Sequence, residues 1–482
     1  MLLAFGVLAC GSGSGGGGGF GTGGGGFGNA SASGGSGAAG GQPATGGTSP
    51  SGGSGGGGGA GPACAPGMPS AFQAAPSPLS VPAPRCGASF DATAKASGPL
   101  RWFVSDLDGD HYPDLVAHKD DCDATVGTTH WDRYPGGAAG LAAAPTAFTV
   151  PAARCSVSFD APARSTGPLE YGLLDFSGDG LTDLVVVQDD CDGAVGTARW
   201  DLYSSSASGF VAVPSTLALP AARCGVSFDA FARASGALEY ALLDLTADHV
   251  PDLVVYQDDC DPTVGQTHWD VYAGSAAGFA ASPSAYGLPA ARCATEWDSL
   301  AKASGALGYS LLDVTGDQRP DLLVTKDDCD PAIGQSHWDV YAGSAAGFAA
   351  APKGYSLPAM RCSVEWSTVG KSSGAVYYAL FDASCDGLPD LVVTRDDCDA
   401  NVGKTHWDAY AGSASGLAAQ PSAFGLPAPR CGAAFDAPGK ANGALHYGLF
   451  AWTNTDHLSL LVTSDDCDPS VGSTHWDYYP AK

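Results

Sequence analysis

Asp106-Leu107-Asp108-Gly109-Asp110-His111-Tyr112-Pro113-Asp114 puts carboxylates at positions one, three, five and nine of a short loop, and the apolar run Leu115-Val116-Ala117 follows it. Such a loop can offer a hard divalent cation several side-chain oxygens and the carbonyl of Tyr112, while Gly109 permits the tight turn. The loop returns along the chain in the same surroundings. Around it an Arg-Cys pair recurs every 69 residues, at 85–86, 154–155, 223–224, 292–293, 361–362 and 430–431. A second cysteine, inside Asp-Asp-Cys-Asp, follows each first one by 36 residues. No insertion breaks the register. A period this long and this strict predicts a repeat architecture.

The third copy shows what one unit is. Leu238–Leu243 reads as a strand, and the acidic loop 244–252 follows. Leu253-Val254-Val255-Tyr256 is continuously apolar, as a strand buried on both faces should be. Thr267–Tyr272 alternates and reads as a third strand, 273–278 is a turn, and 279–288 holds a fourth that Pro283 confines to an edge. Four short antiparallel strands repeated six times predict an all-β, six-bladed propeller. The last copy stops at Lys482, after its third strand. Residues 71–83, ahead of the first Arg-Cys, align without gaps on 278–290 and carry the missing fourth strand. That strand is expected to pair around Trp476 and close the ring, leaving no free edge.

Asp-x-Asp-Gly-Asp-x-x-Pro-Asp-Leu-Val, followed by Tyr-x-Gly-Ser-Ala-x-Gly-Phe, resembles the FG-GAP/VCBS repeat of integrin-like β-propellers over residues 85–482. Integrin heads have seven blades; here there are six copies. The resemblance implies a ligand-binding face opposite the metal loops.

Five copies carry a candidate calcium set. They are Asp106, Asp108, Asp110, Tyr112 and Asp114; Asp175, Ser177, Asp179 and Asp183; Asp244, Thr246, Asp248 and Asp252; Asp313, Thr315, Asp317 and Asp321; and Asp382, Ser384, Asp386 and Asp390. Up to five structural calcium ions are expected, at the weak affinities of extracellular loops. The bland alternative is an acidic turn without metal, since Asp and Gly are ordinary turn residues. In the sixth copy Ala451, Thr453, Thr455 and Ser459 take these positions, and no ion is expected.

Because strands alternate in direction, both cysteines of a repeat fall on the face away from these loops. Two connectivities stay open. Cys86–Cys122, Cys155–Cys191, Cys224–Cys260, Cys293–Cys329, Cys362–Cys398 and Cys431–Cys467 would close within repeats; alternatively each second cysteine would join the next repeat. A bridge closing such a loop is worth roughly 3–4 kcal/mol in the chain-entropy model. Cys64 and Cys385 fall outside either scheme, with each other as a possible partner. The same face repeats an aromatic four residues after each first cysteine (Phe90 in copy one), a basic residue nine after it (Lys95), and His-Trp-Asp at His130, His268, His337, His406 and His475, with Arg199 in copy two. The structural reading pairs Asp with Arg, packs Trp between blades and caps a loop with His. The functional reading is a multivalent binding face, aromatic and carboxylate groups being the usual means of holding a sugar.

The chain of 482 residues has 22 basic and 50 acidic side chains, a formal charge of −28, which disfavours nucleic acid and anionic lipid as partners. Twelve of its 15 cysteines lie in the periodic pattern, and without any C-x-x-C pair they argue for an oxidising compartment over a metal cluster. Residues 1–10 resemble the end of a bacterial lipoprotein signal peptide, with Val7-Leu8-Ala9-Cys10 as lipobox and Cys10 as the lipidated residue. The positive n-region of such signals is missing. An ordinary secretory signal or a buried apolar start are the alternatives. Residues 11–61, almost all Gly, Ser, Ala and Thr, read as a disordered tether. The domain is then 62–482. No His-Glu-x-x-His is present, and a single catalytic centre has no need of six copies. The expectation is a monomeric, outer-membrane-anchored or secreted binding or adhesion module without catalytic activity, for an unknown protein or glycan. The alternative is a lectin using the face opposite the calcium loops.

Overall fold

The computed structural model describes residues 67–452 and 457–482. Cys10, the stretch 11–61, Cys64, Thr453 and Thr455 lie outside them. Among the described residues every regular element is a strand, and the strands form six antiparallel sheets, one per repeat.

Blade I consists of Leu100–Ser105, Asp114–Asp120, His130–Tyr134 and Thr146–Thr149 in sequential order. Its second strand is buried on both faces, Leu115, Val116 and Ala117 being wholly inaccessible, which is why that run shows no alternation. The fourth strand exposes three of its four residues and forms the sheet edge. One element was not foreseen. Ala94–Lys95 adds a short fifth strand along the first, through Lys95 and Trp102. Blades III, V and VI do the same, and blades II and IV keep a single bridge there, Arg164 to Tyr171 and Lys302 to Tyr309. Two residues are too short to carry a periodicity signal.

Closure follows the sequence reading. Blade VI is built from Leu445–Phe450, Ser459–Asp465 and His475–Tyr479, and Ser77–Ser80 supplies its fourth strand, with Leu79 opposite Trp476. Each blade then grips the next in the same way. Trp131 Nε1 donates to the Phe159 carbonyl of blade II; the bond repeats around the circle at 2.5–2.7 Å, and Trp476 completes it by donating to Phe90 of blade I. A second ring of contacts joins the end of each fourth strand to the turn of the following blade, as at Ala218 and Gly278. Only glycine fits there: at φ 109° a Cβ on Gly278 would stand 2.1 Å from the Ala218 amide nitrogen.

The hydrophobic core is correspondingly divided. Six clusters lie between neighbouring blades; the one between blades VI and I joins Leu79 and Trp476 to Phe90 and Trp102. Truncating the buried Leu79 to Ala should cost about 2–4 kcal/mol, as should the same change at its counterpart Leu217 in blade II. Urea unfolding measures both; a silent Leu79→Ala would mean that the N-terminal strand does not close the ring.

Candidate functional site

The acidic loops join first and second strands. In blade I, Asp106 accepts hydrogen bonds from the amides of Gly109 and His111, and Asp110 from Tyr112. The ninth residue reaches further. Asp114, fully buried, accepts from Leu107 within the loop and from Gly136 in the turn after the third strand. Asp183, Asp252, Asp321 and Asp390 do likewise with Ser205, Gly274, Gly343 and Gly412. The loop and that turn therefore share a face, held together by one carboxylate in each of blades I to V.

Burying that carboxylate raises its proton affinity. Desolvation, only partly opposed by the amide donors, pushes Asp114 up to about 7 and Asp252, Asp321 and Asp390 up to about 6. Asp175 and Asp382 are also raised by burial. Negative charge is thus crowded into a site short of positive charge. In blades II and IV the third-position hydroxyls, Ser177 Oγ and Thr315 Oγ1, are buried without a hydrogen-bond partner among the described residues. Orphaned oxygens beside ionisable carboxylates are the donor set that a calcium ion completes, so the residues of these loops fit the ion.

Blade I differs in a way the loop motif concealed. Arg133, on the third strand, places its guanidinium 2.6 Å from Asp108 and 3.6 Å from Asp114. Leu202, Val271, Val340 and Ala409 occupy the equivalent positions, so in blades II to V the third strand brings no cation to the loop. The signal was present in the sequence as a lone basic residue in an apolar column. In blade VI, Ser459 takes the role of the ninth aspartate, accepting from the Ala481 amide and donating to the His457 carbonyl. Trp452 Nε1 donates to Gly137 of blade I. A neutral hydroxyl and an indole replace the charged pin.

The opposite face carries the disulfides, all within blades: Cys86–Cys122, Cys155–Cys191, Cys224–Cys260, Cys293–Cys329, Cys362–Cys398 and Cys431–Cys467, with Cα atoms 5.5–5.7 Å apart. Cys385 is also disulfide-bonded. Each first cysteine sits in a two-residue turn. Arg85 and Ala88 exchange backbone hydrogen bonds, and the six first cysteines adopt φ of 48–50°. The next residue is left-handed too, whether Gly87 at 73° or Ala294 at 57°. This type I′ turn aims the thiol at its partner. Thiolates locked in disulfides are no metal ligands.

Beside each bridge lies a buried ionic knot. Arg223 pairs with Asp258 at 2.6 Å, with Asp270 of His-Trp-Asp, and with the Tyr272 hydroxyl. The same triad recurs in all six blades, from Arg85–Asp120–Asp132 to Arg430–Asp465–Asp477. Burial alone would lower the guanidinium, but the bonds to Asp270 and Tyr272 raise Arg223 well above its ordinary value. The expected pairing of Asp with Arg and packing of Trp between blades are both found. So is the histidine at a loop end: His268 Nδ1 lies 3.0 Å from Thr267 Oγ1, and its Nε2 lies 3.4 Å from Asp270. In blade VI these groups line a cleft of about 410 Å³, formed by Arg430, Asp468, His475, Asp477 and Tyr479 with Ala74, Pro76 and Pro427–Pro429.

No protein-family model matches the chain, and no curated protein matches it in sequence. Among solved structures, an Agrocybe aegerita lectin that recognises non-reducing terminal N-acetylglucosamine is similar at 13% identity, covering 81% of this chain and 80% of its own, with a TM-score of 0.37. The Dos1 propeller is similar at 10% identity, with 78% of each chain covered and a TM-score of 0.25. An exo-β-1,3-galactanase from Phanerochaete chrysosporium is similar at 11% identity over 64% of this chain and 59% of its own, at 0.21. Likenesses this distant carry no argument about activity. The propeller stands on its own six sheets.

Two predictions follow from these geometries. A carboxyl raised from an unfolded value near 3.8 contributes stability that is fully present below that value and lost as pH rises through its folded value. In a chelating buffer, Asp252 should therefore weigh against folding progressively between about pH 4 and 6. Asp252→Asn should gain on the parent by up to about 3 kcal/mol over that window, with unfolding at pH 4 and 7.5 as the check. Separately, Ala294→Gly should relieve the left-handed strain and raise stability by up to about 1 kcal/mol, seen as a higher urea midpoint.

Proposed function

We propose that this chain is an extracytoplasmic, calcium-stabilised binding module without catalytic activity, which engages a protein or glycan through its disulfide-bearing face. The repeated polar constellation beside each disulfide carries the reading. Five near-identical arrays of carboxylate, imidazole and hydroxyl groups ring one face, blade II having Ala198 and Arg199 in place of the last two, and each blade is held there by a disulfide and an ionic knot. Repetition suits multivalent attachment, where linked weak sites gain by effective concentration. Six disulfides fit an oxidising environment outside the cytoplasm. Tethering through Cys10 and the Gly/Ser-rich stretch would hold that face clear of a membrane.

Calcium's part would be to neutralise the carboxylates that pin each acidic loop to the neighbouring turn. Asp175, Ser177, Asp179 and Asp183 in blade II, with their counterparts in blades III to V, would hold it. In blade I Arg133 already supplies positive charge. The melting temperature should rise on adding calcium and fall with chelator, and calorimetric titration should count four ions. Arg133→Leu should bring the count to five. Identical melts with and without chelator would remove calcium from the account. For the ligand, residues 67–482 immobilised and exposed to cell-surface extract and culture medium should capture a partner, and Asp468→Asn with Asp477→Asn should weaken the capture. A glycan array decides the sugar alternative, and silence across it would sink that reading.

A further inference from the structure

The fourth strand of one blade packs beside the acidic loop of the next, and at one position the blades differ in what they send there. Blades III and IV send a tyrosine, Tyr286 and Tyr355. Blades I and V send Phe148 and Phe424, while blade II and the closing N-terminal strand send Leu217 and Leu79. Tyr286, on the strand Ser284–Gly287, is 3% exposed. It stacks on Trp269 of its own blade and meets Phe348 of blade IV edge-on, with ring centroids 5.0 Å apart. Its hydroxyl stops beside Gly343, where a Cβ would lie 3.4 Å from it. Gly343 is the residue whose amide donates to Asp321 at 2.9 Å. The phenol is thus aimed at the pinned end of the blade IV loop, with Arg319, Asp321 and Asp317 as its charged neighbours. Tyr355, 2% exposed and stacked on Trp338, stands the same way towards Asp390 and Asp386 of blade V.

Neither hydroxyl has a hydrogen-bond partner among the described residues. The amides of Ser344 and Ser413 face the two oxygens, and as donors they leave the phenol protons without an acceptor. Packing alone does not call for these hydroxyls, since Phe148 and Phe424 fill the same position without one. Volume is balanced elsewhere. Where the fourth strand sends an aromatic ring, the second loop residue of its blade is aliphatic: Leu107, Leu245, Val314 or Ala383. Where it sends leucine, that residue is Phe176 or Trp452. Blade II gains a hydroxyl by another route. Ser205 replaces the turn glycine; its amide donates to Asp183, and its Oγ is buried without a partner among the described residues. Blade III has neither device, with Leu217 ahead of it and Gly274 in its turn.

We infer that Tyr286 and Tyr355 are positioning residues for the calcium ions of blades IV and V, that Ser205 serves blade II in the same way, and that blade III binds its ion least tightly. This rests on the reading of the loops as calcium sites. Calcium takes six to eight oxygens, and water commonly completes a shell of carboxylates and one carbonyl. A water held by the ion needs hydrogen-bond partners behind it, and outer partners of this kind tune metal affinity. A phenol hydroxyl can both donate and accept, and these two are not committed to any protein group.

The test is calorimetric calcium titration of the full chain, paired with melting in chelator. The parent should bind three ions more tightly and one more weakly. Tyr286→Phe/Tyr355→Phe should weaken two of the three by about tenfold. Its melting temperature in chelator should equal or exceed the parent's, because an unpaired buried hydroxyl has been removed. A phenol with only a structural role would act the other way, lowering that melting temperature and leaving the affinities alone. Phe176→Leu/Leu217→Tyr carries the Leu245 and Tyr286 pair of blade III into blade II, and should tighten the weak ion of blade III by a similar factor. Phe176→Leu/Leu217→Phe should not. Unchanged affinities in the double phenylalanine variant would overturn the inference, and four ions on the parent would leave the calcium reading standing. A parent that binds no calcium overturns both.

Discussion

Six equivalent interfaces have to close on themselves, and most of this structure serves that condition. Each blade's third-strand tryptophan donates its indole N–H to a carbonyl of the next blade, and the aromatic after each first cysteine supplies that carbonyl. A buried indole needs a partner, and a buried carbonyl in an irregular segment needs a donor. Each solves the other's problem only when the neighbouring blade is in register. The glycine in the turn after the third strand of blades I to V tightens the condition, because a side chain there would collide with the preceding blade. The N-terminal strand completes the circle by lending Leu79 to blade VI, so the strand ahead of the first repeat pairs with the third strand of the sixth.

Charge poses the second constraint. The chain is strongly acidic, yet it buries an aspartate at each end of nearly every second strand, such as Asp252 and Asp258. Buried carboxylates must be paired or hydrogen-bonded. On the disulfide-bearing face an arginine does this, bridging two aspartates and a tyrosine. On the other face the buried ninth aspartates of blades I to V accept from backbone amides, and burial leaves them raised. Arg133 in blade I and Ser459 in blade VI are two different remedies for the same excess, one adding a cation and the other removing the anion.

A repeat protein is most informative where its copies disagree. Arg133, Arg199 and the decayed sixth loop each alter one blade while the surrounding backbone keeps its register. Arg199 is the most instructive, since its loss of the histidine coincides with loss of the neighbouring hydroxyl. The hydroxyl lies within hydrogen-bond distance of the imidazole Nδ1; arginine has no such atom, and Ala198 suffices.

The period of 69 residues, the apolar second strands and the spare strand before Arg85 determined the propeller and its closure, because strand periodicity and turn chemistry are local properties of the chain. The spacing of loop carboxylates was likewise legible. Disulfide connectivity was not: both pairings place cysteines on one face, and the choice depended on a turn whose left-handed cysteine no composition rule favours. The fifth strand, two residues long, was beneath any periodicity. Arg133 and Arg199 were visible as letters but mute as chemistry, since what they touch lies 25 and 7 residues away along the chain and only the packing of strands brings Asp108 and Asp192 to them. Local physics chose the elements; which charges meet was decided by the sheet that folds them together.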